Sequence, residues 1–214
     1  MDIRKITLRN PADTEAVDRA FAQVEPQPVA CCNWPQEYPY APHVEFRMFH
    51  TGEELMLRFD VEERCTAAAA ADDNGPVWQD SCVELFIALD DAGYYNFEMN
   101  CIGTLLLAHR RERKVDVVRA APEVLALVRR RATLPHETFA ERCGDNRWSM
   151  TAAIPVRALF RHSLESWDGV KARINLYKCG DNLSMPHFLS WQPIQTPAPD
   201  FHRPEFFKPV RFEK

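Results

Sequence analysis

An alternation of apolar and polar residues with a period of two constrains the fold of this chain more than any other feature. Between residues 55 and 61 every second residue is apolar, and His43 to His50 repeats the pattern with Val44, Phe46 and Met48. Successive side chains of a strand point to opposite faces, so this spacing predicts strands with one apolar face. The chain has 16 prolines and 7 glycines. Because proline ends helices, this composition argues against a helical bundle.

A β-hairpin is predicted between residues 82 and 101. Its first strand, Cys82 to Leu89, places Glu84 on the face opposite an apolar row at positions 83, 85, 87 and 89. The turn residues 90–93 lead into a second strand, Tyr94 to Cys101, one face of which carries Asn96, Glu98 and Asn100. Pairing of the two strands would bring these polar residues and Glu84 onto one face, which either meets water or lines a groove.

The rest of the chain reads as further short strands separated by turns. The predicted strands are Ile3–Leu8, Leu105–Arg110, Val124–Thr133, Arg147–Ile154, Ala172–Cys179, Phe188–Trp191 and Val210–Phe212. Helices are predicted at Asp13 to Gln23 and, as one or two turns, at Pro155 to Phe160; residues 67–71 and 124–131 also fit a helix. With no repeat or linker, we expect one domain over residues 1–214. The fold class is all-β, an antiparallel β-sandwich with one or two short helices.

Charge and hydropathy exclude several classes of function. No apolar run approaches the roughly 18 residues needed to cross a bilayer, so we expect no membrane partner. The net charge of −5 disfavours the neutralisation of phosphates, so nucleic acid is not an expected partner either. The first ten residues show no secretion signal, which predicts a cytoplasmic protein as written, or a secreted or periplasmic one if a signal was removed.

Seven cysteines occur at positions 31, 32, 65, 82, 101, 143 and 179. They form no C-x-x-C motif and no cysteine–histidine set with zinc spacing. Several lie inside apolar runs, so we expect buried free thiols that pack as small hydrophobic groups. A disulfide or cysteine chemistry is the alternative.

A set of aromatic and polar residues suggests a binding groove. Trp78 and Trp191 both lie next to proline-containing loops. Arg173 and Asn175 alternate with apolar residues, as the polar residues of the predicted hairpin do. Sugars present flat apolar C–H faces ringed by hydroxyl groups. An aromatic ring covers the first, while amides, carboxylates and guanidinium groups bind the second. The predicted ligand-binding residues are Trp78, Glu84, Glu98, Asn100, Arg173, Asn175 and Trp191.

Three segments resemble the family 9 carbohydrate-binding modules and their free-standing relatives in polysaccharide-degrading bacteria. They are PVWQDSCVELFI at residue 76, YYNFEMNCIGT at residue 94, and the tail FLSWQP…PDFHRPEFF…VRF. The resemblance covers most of the chain from about Val44 onward. It implies a sandwich of jelly-roll or immunoglobulin-like kind, and a module that binds mono- or oligosaccharides without chemistry.

The resemblance also implies roles for individual residues. In the founding modules two tryptophans sandwich a terminal sugar, and an acid shortly after the first tryptophan binds its hydroxyl groups. Trp78 and Glu84 match this motif well, whereas Trp191 as the second plate and Asn175 as a polar contact match loosely. No cofactor is expected except structural calcium, which those modules carry. Candidate calcium ligands are Asp72, Asp73, Asp90 and Asp91.

Other functions compete with sugar binding. Glu84 and Glu98 could be the paired carboxylates of a glycoside hydrolase or related carbohydrate-active enzyme. The segment Asp200–Phe207 could be the contact loop of a protein-interaction module, although stapling of this loop onto the core by its phenylalanines is favoured. Haem binding is a further alternative, since the histidines and methionines that it needs are present: His109, His187, His202, Met99 and Met185.

Overall fold

The computed structural model describes all 214 residues and contains fourteen β-strands. In chain order these are β1 (Asp2–Ile3), β2 (Gln27–Pro28), β3 (Cys31–Cys32), β4 (His43–His50), β5 (Glu54–Ala68), β6 (Cys82–Ala88), β7 (Tyr94–Asn100), β8 (Leu105–Arg110), β9 (Val118–Arg119), β10 (Arg129–Ala132), β11 (Phe139–Pro155), β12 (Lys171–Cys179), β13 (Phe188–Ser190) and β14 (Lys208–Phe212). The alternation of apolar residues therefore produces the predicted strands.

Helical structure is short. There are two α-helices, α1 (Thr14–Phe21) and α2 (Pro122–Leu125), and three 3₁₀ turns at Val77–Gln79, Val156–Ala158 and Pro204–Phe206. Helix α1 begins after Asp13, whose side chain accepts hydrogen bonds from the second and third N–H groups of the helix region, Glu15 and Ala16. No helix is long and apolar enough to cross a membrane.

The strands form two sheets. The larger sheet has the order β1-β14-β12-β6-β7-β8-β9, with β13 and β3 attached beyond β12, and the smaller sheet has the order β10-β11-β5-β4-β2. Neighbouring strands are antiparallel except β1 and β14. A core of 38 buried residues lies between the sheets. The structure thus confirms the predicted all-β sandwich.

The larger sheet is apolar on both faces. Val83, Leu85 and Ile87 of β6 enter the core between the sheets, whereas Cys82, Phe86 and Ala88 enter a second apolar layer on the outer face. Loops that follow β12 and β13 cover this outer face, anchored by Phe201 and Phe207. The predicted stapling by phenylalanines therefore occurs, and strand β6 is buried along its whole length.

A buried ionic cluster lies on the inner side of β12. The Nζ of Lys178 is 2.8 Å from Glu63 Oε2 and 2.7 Å from His187 Nε2, and none of these side chains is exposed. Burial opposes the ionisation of Glu63, but the charge of Lys178 holds the pKa of Glu63 below its usual value. Burial and Lys178 lower the pKa of His187 to about 3, so His187 is neutral and accepts from the lysine.

Three local predictions need correction. Residues 124–133 were expected to form one strand, but helix α2 occupies their start because Pro122 stands at its first turn, where the missing N–H costs nothing. The expected strand Ile3–Leu8 shrinks to β1, which pairs with β14 over two residues. Residues 67–71 are not helical, since β5 continues to Ala68.

The cysteines divide into two groups. Cys65 of β5 and Cys143 of β11 face each other in the ladder and form a disulfide, so the expectation of free thiols is wrong for this pair. The other five are free, and Cys82, Cys101 and Cys179 are buried as expected.

Candidate functional site

A cavity of about 670 Å³ opens on the outer face of the larger sheet. Its floor follows one row of side chains across the ladder, because Glu84 of β6 pairs with Glu98 of β7, and Glu98 pairs with Leu106 of β8. Cys179 of β12 completes the floor. The predicted parity of the hairpin therefore places both carboxyl groups on one surface of a concave site.

The two carboxyl groups of the floor are held on one side and open on the other. Glu84 Oε1 lies 3.2 Å from Cys179 Sγ, and Glu98 Oε1 accepts a hydrogen bond of 2.8 Å from Asn96 Nδ2. The Oε2 atom of each carboxyl group accepts no hydrogen bond from the protein and is accessible from the cavity. These two oxygens are therefore the polar groups that the floor offers to a ligand.

Burial makes this acid pair reluctant to ionise. Desolvation, with the adjacent charge of Glu98, raises the pKa of Glu84 well above its usual value. Desolvation also raises the pKa of Glu98 to about 7, although Arg110 and the hydrogen bond from Asn96 favour its charged form. At neutral pH the pair retains at least one proton, so it can donate a hydrogen bond as well as accept one.

Trp78 forms part of the wall beside the acid pair. It is the middle residue of the 3₁₀ turn Val77–Gln79, and its ring is partly exposed, packed against the outer apolar layer. The Trp78 carbonyl accepts hydrogen bonds from the Asp181 N–H and the Cys179 thiol, at 3.3 and 3.5 Å. Its indole N–H has no partner in the protein and is not enclosed.

The turn that carries Trp78 is anchored on both sides. Val77 is completely buried, and the Asp80 carboxylate accepts hydrogen bonds from the N–H groups of Ala69 and Ala70 and from Asn100 Nδ2. Asn100 Oδ1 in turn accepts from the N–H of Thr104. These contacts fix the position of the indole before any ligand arrives.

Further aromatic side chains contribute to the cavity wall. Tyr38 packs edge-on against Phe188 with ring centroids 4.7 Å apart, and Phe201 stacks on Tyr177 at 4.3 Å. His202 Nδ1 lies 2.9 Å from the hydroxyl of Tyr94. Burial, followed by the charges of Arg110 and Arg113, lowers the pKa of His202 to about 3, so it is neutral. The cavity therefore has several flat apolar surfaces.

The side of the cavity formed by β8, β9 and their connection is basic. Arg110, Arg113, Lys114 and Arg119 line it, together with Val117. Arg110 is oriented by hydrogen bonds from its Nε to Asn96 Oδ1 and from its Nη1 to the Arg113 carbonyl, at 2.8 and 2.7 Å. Two acids, Asp181 and Asp200, also line the cavity, and Asp200 lies 3.9 Å from Arg113.

The structure brings together three of the seven predicted ligand-binding residues. Trp78, Glu84 and Glu98 line the same cavity. Trp191 does not, because its ring lies in the core between the sheets, 7% exposed and edge-on to Phe46 at 5.5 Å. The structure therefore does not place Trp191 opposite Trp78 as a second aromatic plate.

The remaining three predicted residues have structural contacts of their own. Asn100 and Asn175 are fully buried, and Asn175 binds the backbone of Gln192 through both ends of its amide. Arg173 lies in a separate surface groove and pairs with Asp91 at 2.8 Å. These three residues lie outside the cavity lining, so the structure does not bring them together with Trp78, Glu84 and Glu98.

Sequence reasoning missed other residues that line the cavity. The basic residues between Arg110 and Lys114 were not predicted to contact a ligand, and Phe201 was expected only to anchor its loop. The sequence signal for the basic segment is its density of charge. The signal for the segment around Phe201 is its density of aromatic rings. Tyr38 gives no such signal, since the loop that carries it reaches the site only through the fold.

The candidate metal and haem ligands are dispersed. Asp73 pairs with Arg130 at 2.6 Å and Asp91 pairs with Arg173, so these candidate calcium ligands are engaged elsewhere. The close groups of three donors are Cys65, Glu141 and Cys143, and Cys82, Glu84 and Cys179, and neither includes the four aspartates. Structural calcium stays a prediction. Met99 and His202 lie on opposite sides of the larger sheet, so they cannot hold one haem.

A β-sandwich with a preformed cavity, lined by aromatic rings and carboxyl groups, is typical of a small-ligand-binding module. The family model described as Carbohydrate-binding family 9 matches residues 14–212, and the chain belongs to this family. The resemblance seen in the sequence is thereby confirmed. No curated protein matches the chain significantly.

Solved structures show the same fold. A Bacteroides uniformis protein, described only provisionally as carbohydrate-binding, is 42% identical, with a TM-score of 0.95 over 100% of this chain and 98% of its own. A family 9 carbohydrate-binding module from Caldicellulosiruptor kristjanssonii in complex with glucose is 11% identical, with a TM-score of 0.64 and coverage of 100% and 95%. A family 9 module from the same organism in complex with cellotriose is 13% identical, with a TM-score of 0.62 over 100% of this chain and 94% of its own.

Proposed function

We propose that the cavity on the outer face binds carbohydrate without catalysing a reaction. The observation that carries this proposal is the position of the partly exposed Trp78 indole beside the open carboxyl oxygens of Glu84 and Glu98, in one cavity. The volume of about 670 Å³ lies within the range of about 300–1,000 Å³ that small-molecule sites occupy.

Each part of the site has a partner in the chemistry of a sugar. The indole of Trp78 provides an apolar surface for the C–H face of a pyranose ring, and its free N–H provides a donor. A carboxyl pair that retains a proton can accept a hydrogen bond from one hydroxyl and donate to another. The anchored turn at Val77–Gln79 presents the indole without an entropic cost of ordering.

Relatives support the same class of ligand. The structures from Caldicellulosiruptor kristjanssonii hold glucose and cellotriose, and the Bacteroides uniformis protein is provisionally assigned to carbohydrate binding. Identity to the sugar-bound structures is only 11–13%, so they support the fold and not particular contacts. The sugar of this chain is therefore inferred from its own cavity.

The position of the two acids favours binding over hydrolysis. Glycoside hydrolases place their carboxyl groups on either side of the scissile bond, one ionised and one protonated. Glu84 and Glu98 are direct cross-strand neighbours on a floor, so a sugar lies above both of them and not between them. Burial also raises the pKa of both carboxyls, so neither is kept as a ready anionic nucleophile.

Titration with a panel of mono- and oligosaccharides, followed by tryptophan fluorescence and calorimetry, tests the proposal. We expect dissociation constants from about micromolar to about millimolar, because such a site buries few atoms. Trp78→Ala should weaken binding at least about tenfold, and the matched variant Trp191→Phe should bind like the unaltered protein. Absence of binding to every sugar, or unchanged binding by Trp78→Ala, would contradict the proposal.

A further inference from the structure

Three cations in the cavity have no carboxylate partner. Arg110, Lys114 and Arg119 form no ion pair within 4.0 Å, and Arg113 approaches Asp200 only at 3.9 Å. The guanidinium of Arg119 contacts the backbone carbonyl of Asn74. Their charge is therefore available to a ligand.

The excess of positive charge is local to the cavity. The chain as a whole has a net charge of −5, yet four cations face a cavity whose acids are Asp181, Asp200 and the floor pair of Glu84 and Glu98. The floor pair carries less than its full charge, because burial favours its protonated form. The side of the cavity formed by β8, β9 and their connection therefore concentrates positive charge, although the molecule as a whole is negative.

The cations are separated from Trp78 along the sheet. Trp78 is bonded to the end of β12, whereas Arg110 and Arg119 belong to β8 and β9, three and four strands away. At a strand spacing of about 4.8 Å, β8 and β9 lie on the order of 14–19 Å from β12 across the sheet. A sugar stacked on Trp78 can thus extend over the acid floor and reach the basic side with a substituent or a second unit.

We propose, on the basis of the carbohydrate-binding function above, that the preferred saccharide carries an anionic group, which Arg113 and Arg119 bind on the basic side of the cavity. Guanidinium groups offer paired N–H donors that match the oxygens of a carboxylate or a sulfate. Arg110 supports this side, since its hydrogen bonds to Asn96 and to the Arg113 carbonyl fix the geometry of the connection after β8.

The test compares sugars that differ only in charge. Neutral oligosaccharides, their uronate counterparts and their sulfated counterparts are titrated at about 50 mM and about 500 mM NaCl. We expect the anionic sugars to bind about tenfold tighter than the neutral ones at low salt, with the difference shrinking at high salt because the Debye length falls. The uronate and sulfate arms identify which anion the site prefers.

Matched variants assign the effect to the cavity. Arg113→Gln and Arg119→Gln should each lower the preference for anionic over neutral sugars about fivefold. Arg111→Gln is the control, because Arg111 lies in the same segment but outside the cavity lining. Equal binding of neutral and anionic sugars, or equal losses for all three variants, would overturn this inference and leave sugar binding intact. Failure of every sugar would overturn both.

Discussion

Replacement of Glu98 by glutamine should stabilise the protein, and the gain should depend on pH. The carboxyl of Glu98 is 4% exposed and its pKa is raised to about 7, whereas a glutamate in the unfolded chain titrates at about 4.5. As the pH rises from 4.5 to about 7, Glu98 loses its proton in the unfolded chain before it does so in the folded chain. The free energy of unfolding therefore falls over this pH range. The charged groups that act on Glu98 are Glu84, Arg110, Asp181 and Arg119.

The size of the effect follows from the difference between the two pKa values. Above pH 7 the buried acid costs about 3 kcal/mol of folding free energy, and below pH 4.5 the cost vanishes. For a chain of 214 residues each kcal/mol shifts the melting temperature by about 2–4 °C. We therefore expect Glu98→Gln to melt about 6–12 °C higher than the unaltered protein at pH 8, and only slightly higher at pH 5.

Thermal melts at pH 5 and pH 8 measure this difference directly. Glu84→Gln should show the same sign, because burial raises the pKa of Glu84 as well. Glu137→Gln is the matched control, since Glu137 is exposed and forms no ion pair. This variant should melt at the same temperature as the unaltered protein at both pH values. A gain for Glu98→Gln that is equal at both pH values, or a loss at pH 8, would refute the reasoning.

Two further predictions concern stability away from the cavity. Lys178→Met should lower the free energy of unfolding by about 3–5 kcal/mol in chemical denaturation, because it leaves the buried Glu63 without its counter-ion. Adding Glu63→Gln should recover part of that loss, and no recovery would argue against the pairing. Replacing Cys65 and Cys143 by serine should cost about 2–4 kcal/mol, since their disulfide closes a segment of 78 residues; unchanged stability would mean that the bond does not form in solution.

The local parts of the fold and site could be predicted from the sequence. The bounds of β4 and β8 match the predicted strands, and the predicted parity of the hairpin places Glu84 and Glu98 on one face, in agreement with the register of β6 and β7. Strand parity is a property of neighbouring residues, so a short window of sequence contains it. Trp78 could be recognised for the same reason, because its motif is continuous with β6.

The rest of the site depends on contacts between distant segments. Trp191 and Trp78 are both next to proline-containing loops. Trp191 nevertheless enters the core, whereas Trp78 lines the cavity. Only the packing of the second apolar layer distinguishes the two positions. Tyr38 and Arg119 line one cavity although they are 81 positions apart in the sequence. Similarly, the pairing of Cys65 with Cys143 follows from the register of β5 against β11, which no local pattern reveals.

The two apolar faces of the larger sheet have a consequence for how such a protein can change during evolution. The core between the sheets makes the scaffold, whereas the cavity lies on the outer face of the larger sheet and is walled by the loops that cover this face. Substitutions that reshape the recognition surface therefore leave the scaffold's own packing untouched. One framework can in this way acquire new specificities at little expense to its folding.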